Sequence, residues 1–309
     1  MSKIYAIGEI VYDIIFRNDQ AKQANAGGSM LNSAISLSRT LLPVFFIGET
    51  GNDEVGYIIN QFLLQNKINT DYIQSYTDYK TSIALAFLNE QNDARYVFHK
   101  DYPSQRLTLE LPIPISGDII LFGSSFALNT TVRPTLLKLL HTAKDNGATI
   151  IYDPNIRKQT NNKKELVSMI LENISLATIV RGSDEDFKNI FDCTSDNELY
   201  ELVKDNGCNN LIITKNSKGI SLFTSSHIQN YSVKSINTIS TIGAGDNFNA
   251  GLIYGLFKED LLSDQLHQCT KEQWNLIIET GIAFASHVCQ GFDNYISKEF
   301  AHNYIIEKY

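Results

Sequence analysis

The sequence predicts an α/β fold: a doubly wound, mostly parallel sheet covered by helices on both faces, with a small β-sheet beside it. Two patterns carry this. Short, continuous apolar runs alternate with helix-length stretches, as strands buried on both faces do. One pair of strand-like runs, Thr81–Asn89 and Arg95–Lys100, breaks that rhythm. In chain order, the first strand is Lys3–Gly8, and Val11–Phe16 is a second extended piece. Leu31, Ala34, Ile35, Leu37, Ser38 and Leu41 recur at three-to-four spacing and predict a helix. Further strands are expected at Val44–Gly48, Ile119–Gly123, Thr149–Asp153, Thr178–Val180, Leu211–Thr214 and Ile220–Phe223. From Gly245 onward the pattern is mostly helical.

The two runs around Glu90-Gln91-Asn92-Asp93-Ala94 read as a hairpin. With Val11–Phe16 they make a small sheet from about 11–18 and 75–105. Such a sheet could project as a lid that keeps water out of a cleft, or lie as a hairpin on the edge of the main sheet. No repeat, low-complexity linker or charge block divides the chain, so 1–309 reads as one domain carrying that lid.

Composition excludes several classes. Lys and Arg number 26 against 34 Asp and Glu, a net charge of −8, opposite to the basic excess of a nucleic-acid scaffold. Apolar residues at 43% and charged residues at 19% allow a large core and exclude global disorder. No apolar run reaches the roughly 18 residues of a membrane span, and the N-terminus lacks a signal-peptide layout. Cys193, Cys208, Cys269 and Cys289 lie far apart without a CxxC pair. They read as reduced thiols of a cytoplasmic protein rather than as disulfides or a zinc site. The six histidines show no metal-ligand spacing.

The richest segment is Ser240-Thr241-Ile242-Gly243-Ala244-Gly245-Asp246-Asn247-Phe248-Asn249-Ala250-Gly251. Gly243 and Gly245 let successive backbone N–H groups point into one space, and the helix that follows adds its positive dipole end. That suits a phosphate. A carboxylate beside phosphate would repel it, so Asp246 makes better sense as a base that takes a proton from an attacking nucleophile. The competing reading is a helix start capped by Asp. No GxxxxGK[ST] occurs, and Phe248 interrupts GxGxxG, so the Walker and classical dinucleotide loops lose their weight.

A second segment, Ala26-Gly27-Gly28-Ser29-Met30-Leu31-Asn32-Ser33-Ala34, places paired glycines before a helix. Ser29 is the expected N-cap, and Asn32 can offer a donor and an acceptor to hydroxyl groups. An ordinary capped helix explains this stretch equally well.

In this order and separation the two segments resemble the two signature motifs of the PfkB, or ribokinase-like, family of carbohydrate kinases. Gly8-Glu9-Ile10-Val11-Tyr12-Asp13 resembles that family's opening strand, and Ile47-Gly48-Glu49-Thr50-Gly51-Asn52-Asp53-Glu54-Val55-Gly56 its IGxxGxDxxG stretch. Asp153-Pro154-Asn155-Ile156-Arg157 resembles the DPNxR of fructokinase-like and ketodeoxygluconate-kinase-like members. Leu211–Gly219 resembles the nucleotide-side strand and loop.

The resemblance implies a ribokinase-like fold and transfer of the γ-phosphoryl group of ATP, with Mg2+, to a sugar hydroxyl. Asp246 falls on the family's base, and Gly243, Ala244 and Gly245 on its anion pocket. Asp13, Gly27, Gly28, Asn32 and Asn155 would meet the sugar. Arg157 would sit near the sugar or the moving phosphate, or else form a surface ion pair. Ser183, Thr214, Lys215 and Gly219 would flank the nucleotide, with Asn275 near the adenine. Lys100 would reach the substrate or stay solvated. A homodimer through the lid is also implied, with no nucleic-acid or membrane partner.

The chain departs from the family in three places. Ser240 replaces the usual Asp of a monovalent-cation site, which puts potassium activation in doubt. The Asn-x-x-Glu that organises magnesium through water falls on Ser183-Asp184-Glu185-Asp186, so Asp186 keeps a shorter carboxylate. Gly291-Phe292-Asp293 stands where many relatives have Gly-Ala. Fructose is the first expected substrate, then a 2-keto-3-deoxygluconate-type sugar acid, then ribose or a nucleoside. A non-catalytic sugar-binding regulator is the contrasting class, and an intact Asp246 argues against it.

Overall fold

The computed structural model describes residues 2–90, 94–156 and 162–308. β1 (Ile4–Ile7) is buried along its length and sends alternate residues to opposite cores. Ile4 and Ala6 join one apolar cluster, Tyr5 and Ile7 the other. Period-two alternation in a sheet covered on both faces produces this split. After it come β2 (Val11–Arg17), β3 (Gln20–Gly27), α1 (Ser29–Arg39), β4 (Val44–Gly51), α2 (Glu54–Gln65) and β5 (Asn69–Tyr76). β6 (Ile83–Leu88), β7 (Ala94–His99), β8 (Ile119–Gly123), α3 (Arg133–Asp145), β9 (Thr149–Asp153) and α4 (Lys163–Leu176) follow. Then come β10 (Ile179–Ser183), α5 (Asp184–Ile190), α6 (Asp196–Asp205), β11 (Leu211–Thr214), β12 (Ile220–Phe223) and β13 (Ile228–Tyr231). The chain ends with α7 (Ala244–Lys258), α8 (Lys271–Val288) and α9 (Lys298–Lys308).

The large sheet has nine strands in the order β13-β12-β11-β10-β9-β8-β1-β4-β5. All pairs are parallel except β11–β12 and β12–β13. α1, α7 and α8 pack on the face of Ile4 and Ala6, while α3 and α4 cover the face of Tyr5 and Ile7. Strands β8, β9, β11 and β12 have the bounds expected from their apolar runs. β10 starts later than expected and runs on to Ser183, and β4 continues to Gly51. β5 and β13 were not expected; both are half-exposed outer strands without a continuous apolar run.

The second sheet has four strands in the order β3-β2-β6-β7. Its outer pairs are antiparallel, and β2 with β6 is parallel. The hairpin of β6 and β7 therefore lies outside the large sheet, and its turn residues 91–93 fall outside the described residues. β3 is an addition, because its polar sequence QAKQANAG gives no strand pattern. Residues 75 and 76 of the expected small sheet belong instead to β5.

Two clamps mount the small sheet. Asp53 caps α2 through the Gly56 N–H, at 2.9 Å, and also accepts from the Thr81 hydroxyl at 2.7 Å and the Thr81 N–H at 3.0 Å. Burial alone would raise the Asp53 carboxyl, but these hydrogen bonds hold it below the usual carboxylate range. A Cβ on Gly51 would lie 2.5 Å from the Thr81 nitrogen, so that approach requires glycine. The second clamp is a buried ion pair. Glu49 on β4 accepts from Arg106 Nε at 2.9 Å and from the Leu107 N–H at 2.9 Å. The Arg106 guanidinium lies 3.6 Å over the Tyr102 ring, whose hydroxyl donates to Glu9 at 3.1 Å.

Candidate active site

Asp153, Ser183 and Thr214 are the last residues of β9, β10 and β11, so they share the carboxyl edge of the large sheet. Ligands of open α/β sheets bind at that edge. α7 starts there. Its N-cap, Gly243, is left-handed at φ 78°, and a Cβ on it would meet the Asn294 carbonyl at 2.8 Å. The Ala244 N–H bonds the Thr241 carbonyl at 3.2 Å, while the Gly245 N–H, in the first turn, has no acceptor within its helix. The helix dipole adds positive potential at this end.

Gly245 has a different reason to be glycine from the one its spacing suggested. Its backbone is helical, and a Cβ would lie 2.8 Å from Arg181 Nη1. Arg181 is only 5% exposed. Its Nη1 donates to Asp153 at 2.9 Å and its Nη2 to the Thr214 hydroxyl at 2.7 Å. Asn249 Nδ2 donates to the same Asp153 oxygen at 2.6 Å. The sequence reading missed this cluster; its signal was a lone cation at the end of an apolar strand, Thr178-Ile179-Val180-Arg181.

A cavity of about 330 Å³ opens on one side of α7, lined by Arg181, Thr214, Gly219, Gly245, Phe248 and Ala285 among others. Thr214, Gly219, Ala244 and Gly245 therefore share one space. Lys215 does not line it: its ammonium bonds Asp196, and Ser221 Oγ at 2.7 Å. Asn275 also lies apart, about two turns before the Ile282 that lines the cavity. Its side-chain oxygen accepts from Gln229 at 2.8 Å and from the Tyr231 hydroxyl at 3.1 Å.

Ser183 and Asp186 form a capping box at the start of α5. The Ser183 hydroxyl donates to Asp186 at 2.6 Å. Burial, and then the charge of Asp153, raise the Asp186 carboxyl above its ordinary range. Ser240 Oγ accepts from the Ile242 N–H at 3.2 Å within its own turn.

On the other side of α7, Asp246 faces α1. Ser29 Oγ donates to Oδ1 at 2.5 Å and Asn32 Nδ2 to Oδ2 at 2.8 Å. Asn155 Nδ2 reaches the same Ser29 oxygen at 2.8 Å. Ser29 is thus not the N-cap of α1; Gly28 is, and no side chain caps that end. The reason is steric. Gly28 adopts φ 123°, and a Cβ there would meet the Glu9 carbonyl at 2.2 Å, so the N-cap position requires a glycine, which has no side chain to cap with. A Cβ on Gly27 would lie 2.0 Å from Asp13 Oδ2, which places the Asp13 carboxylate against the paired glycines. Lys100 Nζ bonds Glu9 at 2.6 Å. Arg157 lies outside the described residues.

Residues 1–293 match the sequence profile described as pfkB family carbohydrate kinase. The chain belongs to that family. Fructokinase of Escherichia coli is 27% identical over 269 residues, covering 85% of this chain and 87% of the relative. The crystal structure of fructokinase from Vibrio cholerae O395 in fructose, ADP and calcium ion bound form matches this kinase with a TM-score of 0.85 at 21% identity, over 99% of each chain. Aminoimidazole riboside kinase from Salmonella enterica, complexed with aminoimidazole riboside and an ATP analog, gives a TM-score of 0.83 at 20% identity over 98% of this chain and 100% of that one. Among the described residues, no helix of this carbohydrate kinase is long and apolar enough to cross a membrane.

Proposed function

We propose that this kinase transfers the γ-phosphoryl group of ATP to a hydroxyl of fructose, with Asp246 as base and the first turn of α7 as the anion pocket. The placement of Asp246 supports this above all. Asp246 stands at the helix start whose Ala244 and Gly245 line the 330 Å³ cavity, and its carboxylate turns the other way, to Ser29 and Asn32 of α1. In the transfer, the sugar hydroxyl gives its proton to Asp246 and its oxygen bonds to the γ-phosphorus. The bond to the bridging oxygen breaks, and ADP leaves with that electron pair. Catalysis of this kind is mostly positioning and electrostatics. The fructose and ADP bound in the Vibrio cholerae fructokinase structure support the choice of fructose and nucleotide.

The residues fit a divalent ion such as Mg2+. Asp153 Oδ1 is buried with no partner among the described residues, and two neighbouring carboxylates repel where a cation would relieve them. Asp186 would hold the ion through water, and the ion would neutralise phosphate charge during transfer. No group of three or more His, Cys, Asp or Glu among the described residues is placed to hold a metal, so phosphate and water would supply the remaining ligands. Potassium should matter less than in relatives with Asp at the Ser240 position. A titration showing a strong potassium requirement would overturn that expectation.

Asp13→Ala should raise the fructose KM about tenfold or more and leave the ATP KM within about threefold. A carboxylate that accepts sugar hydroxyls makes charge-assisted bonds worth about 1.5–3 kcal/mol each. Equal effects on both substrates would remove Asp13 from the sugar site.

ADP release measured over fructose, a 2-keto-3-deoxygluconate-type acid, ribose and aminoimidazole riboside tests the whole reading. Fructose should give the highest kcat/KM. A riboside or a sugar acid above it would replace fructose as the substrate.

A further inference from the structure

Ser29 offers one proton, and the geometry decides where it goes. Asn155 donates an N–H to the Ser29 oxygen, and the Asp246 carboxylate can only accept. The Ser29 proton therefore points at Asp246 Oδ1. Asn155 itself holds a left-handed backbone at φ 41°, a conformation that asparagine adopts more readily than other residues with a side chain. Its amide is aimed at Ser29 from the loop after β9. α1 makes no use of the hydroxyl, because Gly28 is its N-cap. The first residue of the helix is instead bonded to a carboxylate 217 positions away.

Beside it, Asn32 turns its amide nitrogen to Asp246 Oδ2. That leaves Asn32 Oδ1 buried, with no partner among the described residues. The amide cannot turn over without facing oxygen against oxygen. An acceptor thus stands open next to the carboxylate, where a substrate hydroxyl would find it.

We propose that Ser29 is a positioning residue for phosphoryl transfer. Together, Asn155, Ser29 and Asn32 fix the plane of the Asp246 carboxylate and hold its charged form with donated hydrogen bonds. The proposal rests on the reading of Asp246 as base. Ser29 keeps its own proton throughout, since the proton that moves is the one on the substrate hydroxyl.

The test compares Ser29→Ala, Ser29→Thr and Asp246→Asn by kcat, both KM values, the pH profile of kcat/KM and melting temperature. Ser29→Ala should lose about tenfold in kcat, the usual worth of a hydrogen bond to a charged group, with both KM values within about threefold. The acid limb of its profile should move to higher pH, because the carboxylate has lost a donor. Ser29→Thr should restore both, since it returns a hydroxyl. Asn155→Ala leaves α1 untouched and should lower kcat in the same direction, which keeps the idea testable if Ser29→Ala fails to fold. Wild-type kcat and pH profile in Ser29→Ala, beside an inactive Asp246→Asn, would overturn the role of Ser29 and leave the base standing. An active Asp246→Asn would overturn both.

Discussion

Asp246→Asn should retain its fold and its nucleotide affinity while kcat falls by at least about 10²–10⁴-fold, the usual value of a positioned base. The structure says why the fold survives. Asp246 is not a cap, since Gly243 holds that place, so no helix start is lost. The amide oxygen of an Asn can still accept from Ser29. Its nitrogen would then face Asn32, whose amide can turn over and present the buried Oδ1 that now lacks a partner. Loss of a negative charge in the first turn costs about 0.3–1 kcal/mol. Substrate affinity should change far less than kcat, because a base acts on a proton that moves only in the transition state. Turnover within tenfold of wild type, in a variant that melts normally and binds ATP, would sink the assignment.

The second large effect belongs to stability. Arg106→Leu should destabilise the protein by about 3–5 kcal/mol, because it strands a buried carboxylate. Arg106 and Glu49 side chains are 4% and 1% exposed, so water cannot replace the lost partner. Glu49 would keep the Tyr76 hydroxyl, at 2.5 Å, and the Leu107 N–H. Those are insufficient for a full charge in a dry site. The double variant Arg106→Leu with Glu49→Leu should recover part of the loss, since no charge is stranded: the Leu107 N–H keeps the Tyr76 oxygen at 3.0 Å, and only the Tyr76 hydroxyl proton loses its acceptor. Denaturant midpoints measure this directly, provided the slope of the transition is unchanged. A single variant within about 1 kcal/mol of wild type would show that water reaches Glu49.

What the sequence revealed follows burial. β8 and β9 are buried at every position, so their apolar runs end where the strands end. Outer strands such as β5 and β3 owe their form to backbone pairing with a neighbour, and their side chains keep the polar mixture of a surface. The site divides similarly. Motif spacing led to Asp246, Asn32 and the paired glycines because each is fixed by short local chemistry. Ser29 was misread because capping is local, whereas its real partner lies on α7. Arg181 was passed over because its meaning comes only from Asp153, Thr214 and Gly245, which three other elements supply. Lys215 and Asn275 show the converse: adjacent to a nucleotide-side motif or on the expected helix, they are engaged by Asp196 and Gln229 instead.

The contact between Ser29 and Asp246 spans 217 positions, and β1 must wait for β8, which starts at Ile119, to complete its pairing. Synthesis delivers the N-terminal part first, at roughly 5–20 residues per second. A nascent chain therefore carries Ser29 and Asn32 for many seconds before any carboxylate arrives for them to hold. Pairings so distant along the chain are slow to form, and until they do the unpaired edges of β1 and β2 invite association with other chains. A chain released before Ala244 has no α7, so it carries Ser29 without the carboxylate that Ser29 holds in the finished fold.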